Sequence, residues 1–212
     1  MKKFTLVAAL MVLLCGTALS AKDFDWSKSW CNYGAGIEEG NFIVNVDLGL
    51  NYSDLSYSGT AKLWDGGFWF IPPVLVEVQY AKKIWKLPFT FGGYAGIHGF
   101  GYKAHEYYNY HYDRNIYRYV YDTRDTKPTV VALYVGGEIA YHAMLPVDKL
   151  DVYVATKIGA DIPLVKKDIS LFGYNYFTFG EAIGANYFFT DKVGANLEIG
   201  YPFTKIGLTL KF

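Results

Sequence analysis

An all-β chain, closed as an eight-stranded antiparallel transmembrane barrel of the outer-membrane type, is predicted by three observations. Eight stretches alternate apolar residues with polar or small ones, the period of a strand with two unlike faces. The connections between them alternate between short and long. Glycines and charges recur on the non-apolar face, while Tyr and Phe gather at the strand ends of the apolar face. Hydrophobic residues make up 52% of the chain and aromatics 19%, a load that suits β-structure or a membrane interface better than a helical bundle.

Residues 1–20 read as a secretory signal: Lys2 and Lys3, an apolar core from Phe4 to Leu14, then small residues around Ala18, Ser20 and Ala21. Cys15 does not mark a lipid anchor, because Leu14 stands before it where such a site needs a small residue. Cleavage removes two lysines, leaving 18 of the 20 basic residues against 20 acidic ones. That near-neutral balance gives no support for nucleic acid as a partner. One cysteine remains, Cys31, so no internal disulfide forms, and a half-buried unreactive thiol is expected. Residues 21–40 carry Trp26 and Trp30 without alternation and are expected to form a lead-in at the barrel base; the barrel itself is assigned to 41–212.

The strand from Phe42 to Tyr52 sets the pattern. Phe42, Val44, Val46, Leu48, Leu50 and Tyr52 share one face, and its roughly eleven residues match the length that crosses a bilayer at a tilt. After a loop at 53–72, strand two (73–82) sets Val74, Val76, Val78 and Tyr80 against Leu75, Glu77, Gln79 and Ala81. Strand three (89–101) sets Phe89, Phe91, Ala95 and Ile97 against Thr90, Gly92, Tyr94, Gly96 and His98. An irregular segment at 102–128 follows. Strand four (129–141) opposes Val131, Leu133, Val135 and Ile139 to Ala132, Tyr134, Gly136 and Glu138. In strand five (150–162), Val152, Val154 and Ile158 face away from Asp151, Tyr153, Lys157 and Asp161. Beyond a loop at 163–173, strand six (174–188) groups Phe177, Phe179, Ile183, Ala185 and Tyr187, with Glu181 on the apolar face unless a bulge near Gly180 turns it inward. Strand seven (193–201) and a last strand ending at Phe212 complete the set.

The connections after strands two, four and six are short and those after one, three and five longer, as for tight periplasmic turns and extended outer loops. Glycine weakens a strand unless something must come close, and the crowded interior of a small barrel supplies that reason. The glycine face is therefore the inside, and the apolar face meets lipid. The inward charges Asp47, Glu77, Glu138, Asp151, Asp161 and Glu198 then face Lys157, Lys205 and Lys211. An interior only wide enough for side chains makes this set a plug of ion pairs and hydrogen bonds.

The stretch GANYFFTDKVGANLEIGYPFTKIGLTLKF, ending in Phe212 on an alternating strand, resembles the small outer-membrane β-barrel family that includes OmpX, OmpW and the OmpA barrel. That resemblance implies a location in the outer membrane, among its lipids. It also implies that Phe212 is part of the signal read by the barrel-assembly machinery. It settles location better than activity, since such barrels are variously structural, adhesive, pore-forming or enzymatic.

No enzyme is expected. The four histidines, His98, His105, His111 and His142, fall in no compact pattern with a serine nucleophile. His105, Glu106, His111 and Asp113 have suitable donor types, but no diagnostic spacing, for a metal. Neither a metal nor a cofactor is predicted. Segment 103–127 is the candidate recognition loop: Tyr107, Tyr108, Tyr110, Tyr112, Arg114, Tyr117, Arg118 and Tyr119 supply contact area with hydrogen-bonding ends, toward an extracellular or host ligand. The alternative for the same segment is a hairpin extending strands three and four, with tyrosines paired across it. The function predicted is a structural or surface-interaction barrel with a plugged lumen. A narrow porin-like channel or a conduit for small hydrophobic solutes is the alternative, and a lipid-modifying enzyme a more distant one.

Overall fold

The computed structural model describes residues 25–51, 69–101, 103–114, 117–167 and 176–212. Residues 1–24, with the segment read as a secretory signal, and 52–68, with Tyr52 and most of the stretch expected as a loop, lie outside these residues; 69–72 belong to a strand. A short helix α1 (Trp26–Ser29) precedes ten strands: β1 (Phe42–Asn51), β2 (Trp69–Ile84), β3 (Leu87–Gly101), β4 (Ala104–Asp113), β5 (Arg118–Thr126), β6 (Thr129–Met144), β7 (Leu150–Lys167), β8 (Phe177–Phe188), β9 (Val193–Gly200) and β10 (Phe203–Lys211). Eight of them close into an antiparallel barrel in the order β1-β10-β9-β8-β7-β6-β3-β2, and β4 and β5 form a separate two-stranded sheet. No helix among the described residues is long and apolar enough to cross a membrane.

The period-two pattern becomes an inside and an outside as its chemistry requires. Val46, Leu48, Val76, Ile158, Phe179 and Leu208 are exposed on the outer surface, each at 45% or more of its accessible area. Asn45, Asp47, Glu77, Gln79, Lys157 and Glu198, on the opposite phase, are at 1% or less. A barrel charged within and greasy without is stable only if its exterior meets hydrocarbon. Aromatics ring the end that carries the short turns: Phe42 packs on Tyr80 across β1 and β2, at 5.0 Å between centroids, and Phe89 on Tyr141 across β3 and β6, at 5.4 Å.

Two local expectations need correction, and a third point left open is decided. Segment 102–128 is not irregular: β4 and β5 pair from Ala104↔Thr126 to Asp113↔Arg118, with a register shift between Tyr108 and Tyr110, and stand directly on β3 and β6, whose own pairing ends at Gly101↔Thr129. Strand β7 does not stop at 162 but runs to Lys167, with a register shift that makes Leu164 a bulged residue between Pro163 and Val165. Glu181 stays on the outer face, because β8 pairs with β7 without any shift and sets Glu181 beside the outward Thr156.

The base is closed by residues 25–41. Asp25 caps α1 through its carboxylate on the Ser27 N–H, and Ser29 donates to the Met144 carbonyl. Tyr33 and Ile37 pack with Ile43, Ala81 and Phe188 in one buried cluster. Tyr33 donates to the Phe89 carbonyl at 2.8 Å and Tyr141 to the Trp30 carbonyl at 2.6 Å. Cys31 is exposed rather than half-buried, since the chain there lies on the outer side of this closure.

Candidate functional site

The lumen is built in layers, each positioned by the alternation of the strands that carry it. At its centre, the Lys157 ammonium lies 2.7 Å from Glu77 Oε1, 2.8 Å from Glu138 Oε2 and 3.0 Å from Glu198 Oε1. Only the first has hydrogen-bond direction; the Glu138 and Glu198 oxygens are held by charge. The Tyr94 ring faces the ammonium, 5.4 Å to its centroid. Lys205 pairs with Asp47 at 2.8 Å, with Glu77 Oε2, and at 3.6 Å with Glu198. Glu77 thus bridges both lysines. Burial of this kind is tolerated only where charges are paired.

Two of the predicted acids find histidines instead of lysines. Asp151 accepts from His142 Nδ1 at 2.9 Å and from Asn186 at 3.2 Å, and one of its oxygens also takes the Gly34 N–H. Asp161, nearer the outer rim, pairs with His98 at 3.1 Å. Lys211 stands apart from the network: its ammonium donates to the carbonyls of Ala35 and Gly36, at 3.1 and 2.7 Å, and tethers the base segment. Sequence reasoning missed both histidines as network members, although each shares the inward phase of its strand. Phe212 closes the β1 and β10 ends by exchanging backbone hydrogen bonds with Phe42.

His142 also meets Thr90, at 2.9 Å from Nε2 to Oγ1, which gives a hydroxyl, an imidazole and a carboxylate in line. Gln79 gives its amide N–H to Glu138 at 2.7 Å, so its oxygen faces Thr90, whose hydroxyl lies 3.1 Å from it. Thr90 thus sits between the Gln79 carbonyl oxygen and the imidazole, and which of them takes its proton is set by the His142 tautomer. The chain continues from Asn186 through Asn196 and Tyr153 to Glu198, joining the histidine layer to the lysine layer. Glu77, Glu138 and Glu198 lie close enough to hold a metal, their oxygens within 4.8 Å of one another, but the Lys157 ammonium takes that point of convergence.

Above the lysines, Leu75, Tyr94, Tyr134 and Phe203 form an apolar lid, with Tyr134 edge-on to Phe203 at 4.5 Å. Outside the barrel, the β4/β5 hairpin presents Tyr110, Tyr112, Tyr119 and Tyr121 on one face: Tyr110 stacks on Tyr119 at 5.1 Å and Tyr112 meets Tyr119 at 5.2 Å. These tyrosines remain between 45% and 62% exposed, and Tyr117 at the tip is 80% exposed. Arg114 and Arg118 flank the tip, also exposed; the side chains of Tyr107, Tyr108, His105 and Glu106 lie outside the described residues. Asp113 pairs across the hairpin with Arg118, and His111 lies 3.8 Å from Asp122.

A closed sheet with a lipid-compatible exterior and a charge-filled interior defines a transmembrane β-barrel. The sequence matches no protein-family model and no curated protein. Among solved structures, it is similar to a de novo designed transmembrane β-barrel at 17% identity and a TM-score of 0.40, over 83% of this chain and 98% of that one.

Proposed function

We propose that this chain is an outer-membrane barrel that conducts nothing and acts through its external hairpin, as a structural and surface-interaction protein. The observation that carries the proposal is Lys157, at 1% exposure, bound to glutamates from β2, β6 and β9 across the middle of the lumen. The outer membrane is favoured by the two-residue turn between β2 and β3, against a whole hairpin between β3 and β6 at the other end. The partner is an extracellular or host ligand that lies against a rigid tyrosine face flanked by arginines. In this reading no reaction is catalysed, the surrounding lipids are those of the outer membrane, and the assembly machinery engages the C-terminal strand that holds Phe212.

The test is conductance of the folded protein in planar bilayers, with a gel-mobility difference between boiled and unboiled samples certifying the fold. Silence is expected. Discrete steps whose ion preference changes in Lys157→Glu would replace the plug by a pore. A conduit for small hydrophobic solutes is a second reading, favoured by one seam: among the described residues, the β1–β2 ladder ends at Leu48↔Val74, beside Pro72 and Pro73, which cannot donate to it. Uptake of a hydrophobic dye into proteoliposomes, abolished in Pro72→Val/Pro73→Val, would favour that reading.

A further inference from the structure

Apart from Glu198 Oε1, which faces Lys157, four buried oxygens on β1, β9 and β10 have no hydrogen-bond partner among the described residues: Asn45 Oδ1, Asp47 Oδ1, Asn196 Oδ1 and Thr209 Oγ1. Their residues are at 0–1% exposure. The ladder sets them in two adjoining rows, Asn45 beside Thr209, and Asp47 beside Gly207 beside Asn196. Strands about 4.8 Å apart place Asn45 next to Thr209, and Asp47 two strands from Asn196, on one stretch of the inner wall. Their remaining polar atoms are already committed. Asn45 Nδ2 donates to Glu77 at 3.3 Å, Asp47 Oδ2 takes Lys205 at 2.8 Å, and Asn196 Nδ2 serves Tyr153 and Asn186 at 2.9 and 2.8 Å. Both amides are thereby oriented with their carbonyl oxygens turned away from those acceptors. Asp47 Oδ1 lies over Gly207, where any Cβ would collide with it, so the row is open only because that residue is glycine.

Three of these oxygens can only accept, and the Thr209 hydroxyl can accept as well. Whatever sits among them must therefore present protons or positive charge. The charge of the surroundings chooses between the two. Four carboxylates, Asp47, Glu77, Glu138 and Glu198, face two ammonium groups, Lys157 and Lys205, inside the same sealed layer. Water would meet the oxygens alone; a hard cation would also offset carboxylate charge that the two lysines leave unpaired. Carboxylate, amide carbonyl and hydroxyl oxygens are the donors such ions take, in flexible geometry for the larger ones.

We propose that Asn45, Asp47, Asn196 and Thr209 bind a hard metal cation, which holds β1, β10 and β9 together from within. Ca2+ and Na+ share this oxygen-donor chemistry. Asp47 bridges the ion on Oδ1 and Lys205 on Oδ2. This site is separate from the three glutamates around Lys157, and it stands whether or not the hairpin binds a partner.

The experiment refolds the chain from urea into detergent micelles in choline chloride with a chelator, and in parallel with CaCl2 or NaCl. Refolding gives the ion access before the lumen closes. Bound radiolabelled Ca2+ or Na+ is counted per folded chain by equilibrium dialysis, and the temperature at which the gel-mobility difference disappears is recorded. About one equivalent of one ion is expected on the folded wild type, with a higher transition temperature than in choline. Asp47→Asn and Thr209→Val, both close in shape to the original, should each weaken binding by at least about tenfold, while Asp161→Asn, in the outer layer, should not. Should Asp47→Asn fail to fold, Thr209→Val carries the comparison. Folded wild type that retains neither ion would assign the four oxygens to water and overturn the proposal, as would binding indifferent to both substitutions.

Discussion

Tyr94 lies flat across the inner wall, over two glycines that its own strand pairing brings into line: Tyr94 is opposite Gly136, and Gly136 opposite Gly159. A Cβ on either glycine would meet the Tyr94 ring or hydroxyl. Tyr153 covers Gly184 in the same way. These are the close approaches for which the interior spends its glycines. Gly159→Ala should destabilise the barrel by about 1–3 kcal/mol, the range for overpacking a tight core, as read from urea-induced unfolding in micelles. Tyr33, in the base segment outside the strands, has its phenol pushed up to about 12 from an ordinary 10.0, first by burial and then by the negative charges of Glu39 and Asp151. Its folded form holds the proton more tightly than the unfolded one. Its contribution is therefore complete below pH 10 and lost as the pH rises from about 10 to about 12. The base segment should become protease-sensitive across that window, and Tyr33→Phe should flatten the change.

Between β2 and β3 the chain reverses on Trp85 and Lys86, both with positive φ, at 49° and 72°. Two-residue hairpins favour this geometry for its twist, but Asn-Gly adopts it at far lower cost than Trp-Lys. Trp85 is 91% exposed, so its side chain gains almost nothing from packing. Replacing the pair with Asn-Gly should stabilise the barrel by about 1–2 kcal/mol, seen as a higher urea midpoint without a change in slope. The strands themselves were legible because burial on one face and lipid on the other leaves a period of two in nearly every segment. Where the period fails, the reading failed with it. The bulge at Leu164 after Pro163 switches faces and hid the end of β7. The β4/β5 hairpin meets water on its exposed tyrosine face, so its alternation of Tyr with Asn, His and Asp carries no apolar stripe. The members of the charge network could be read from their phase; their pairings could not. His98 meets a carboxylate 63 residues away, and Lys211 shares the inward phase but sits at the strand end, where backbone carbonyls of the base segment reach it first.

At the scale of the molecule, barrel and hairpin are separable. The hairpin pairs with itself, and the charge layers lie wholly within the closed sheet. Exchange of residues 103–127 for a short Gly-Ser turn should leave the gel-mobility difference and its transition temperature unchanged while removing any surface binding. A lower transition temperature would mean that the tyrosine ladder supports β3 and β6. The wall is also uneven. Strands β2, β3, β6 and β7 run 15–18 residues, whereas β9 and β10 run only 8 and 9. At the usual rise and tilt, the short pair spans about 20 Å along the normal, less than the apolar band of about 25 Å that such barrels offer. Lipid beside β9 and β10 must therefore shorten to match, while lipid beside β6 and β7 need not. The protein carries a built-in thin spot in its own annulus, on the flank facing away from its tallest strands.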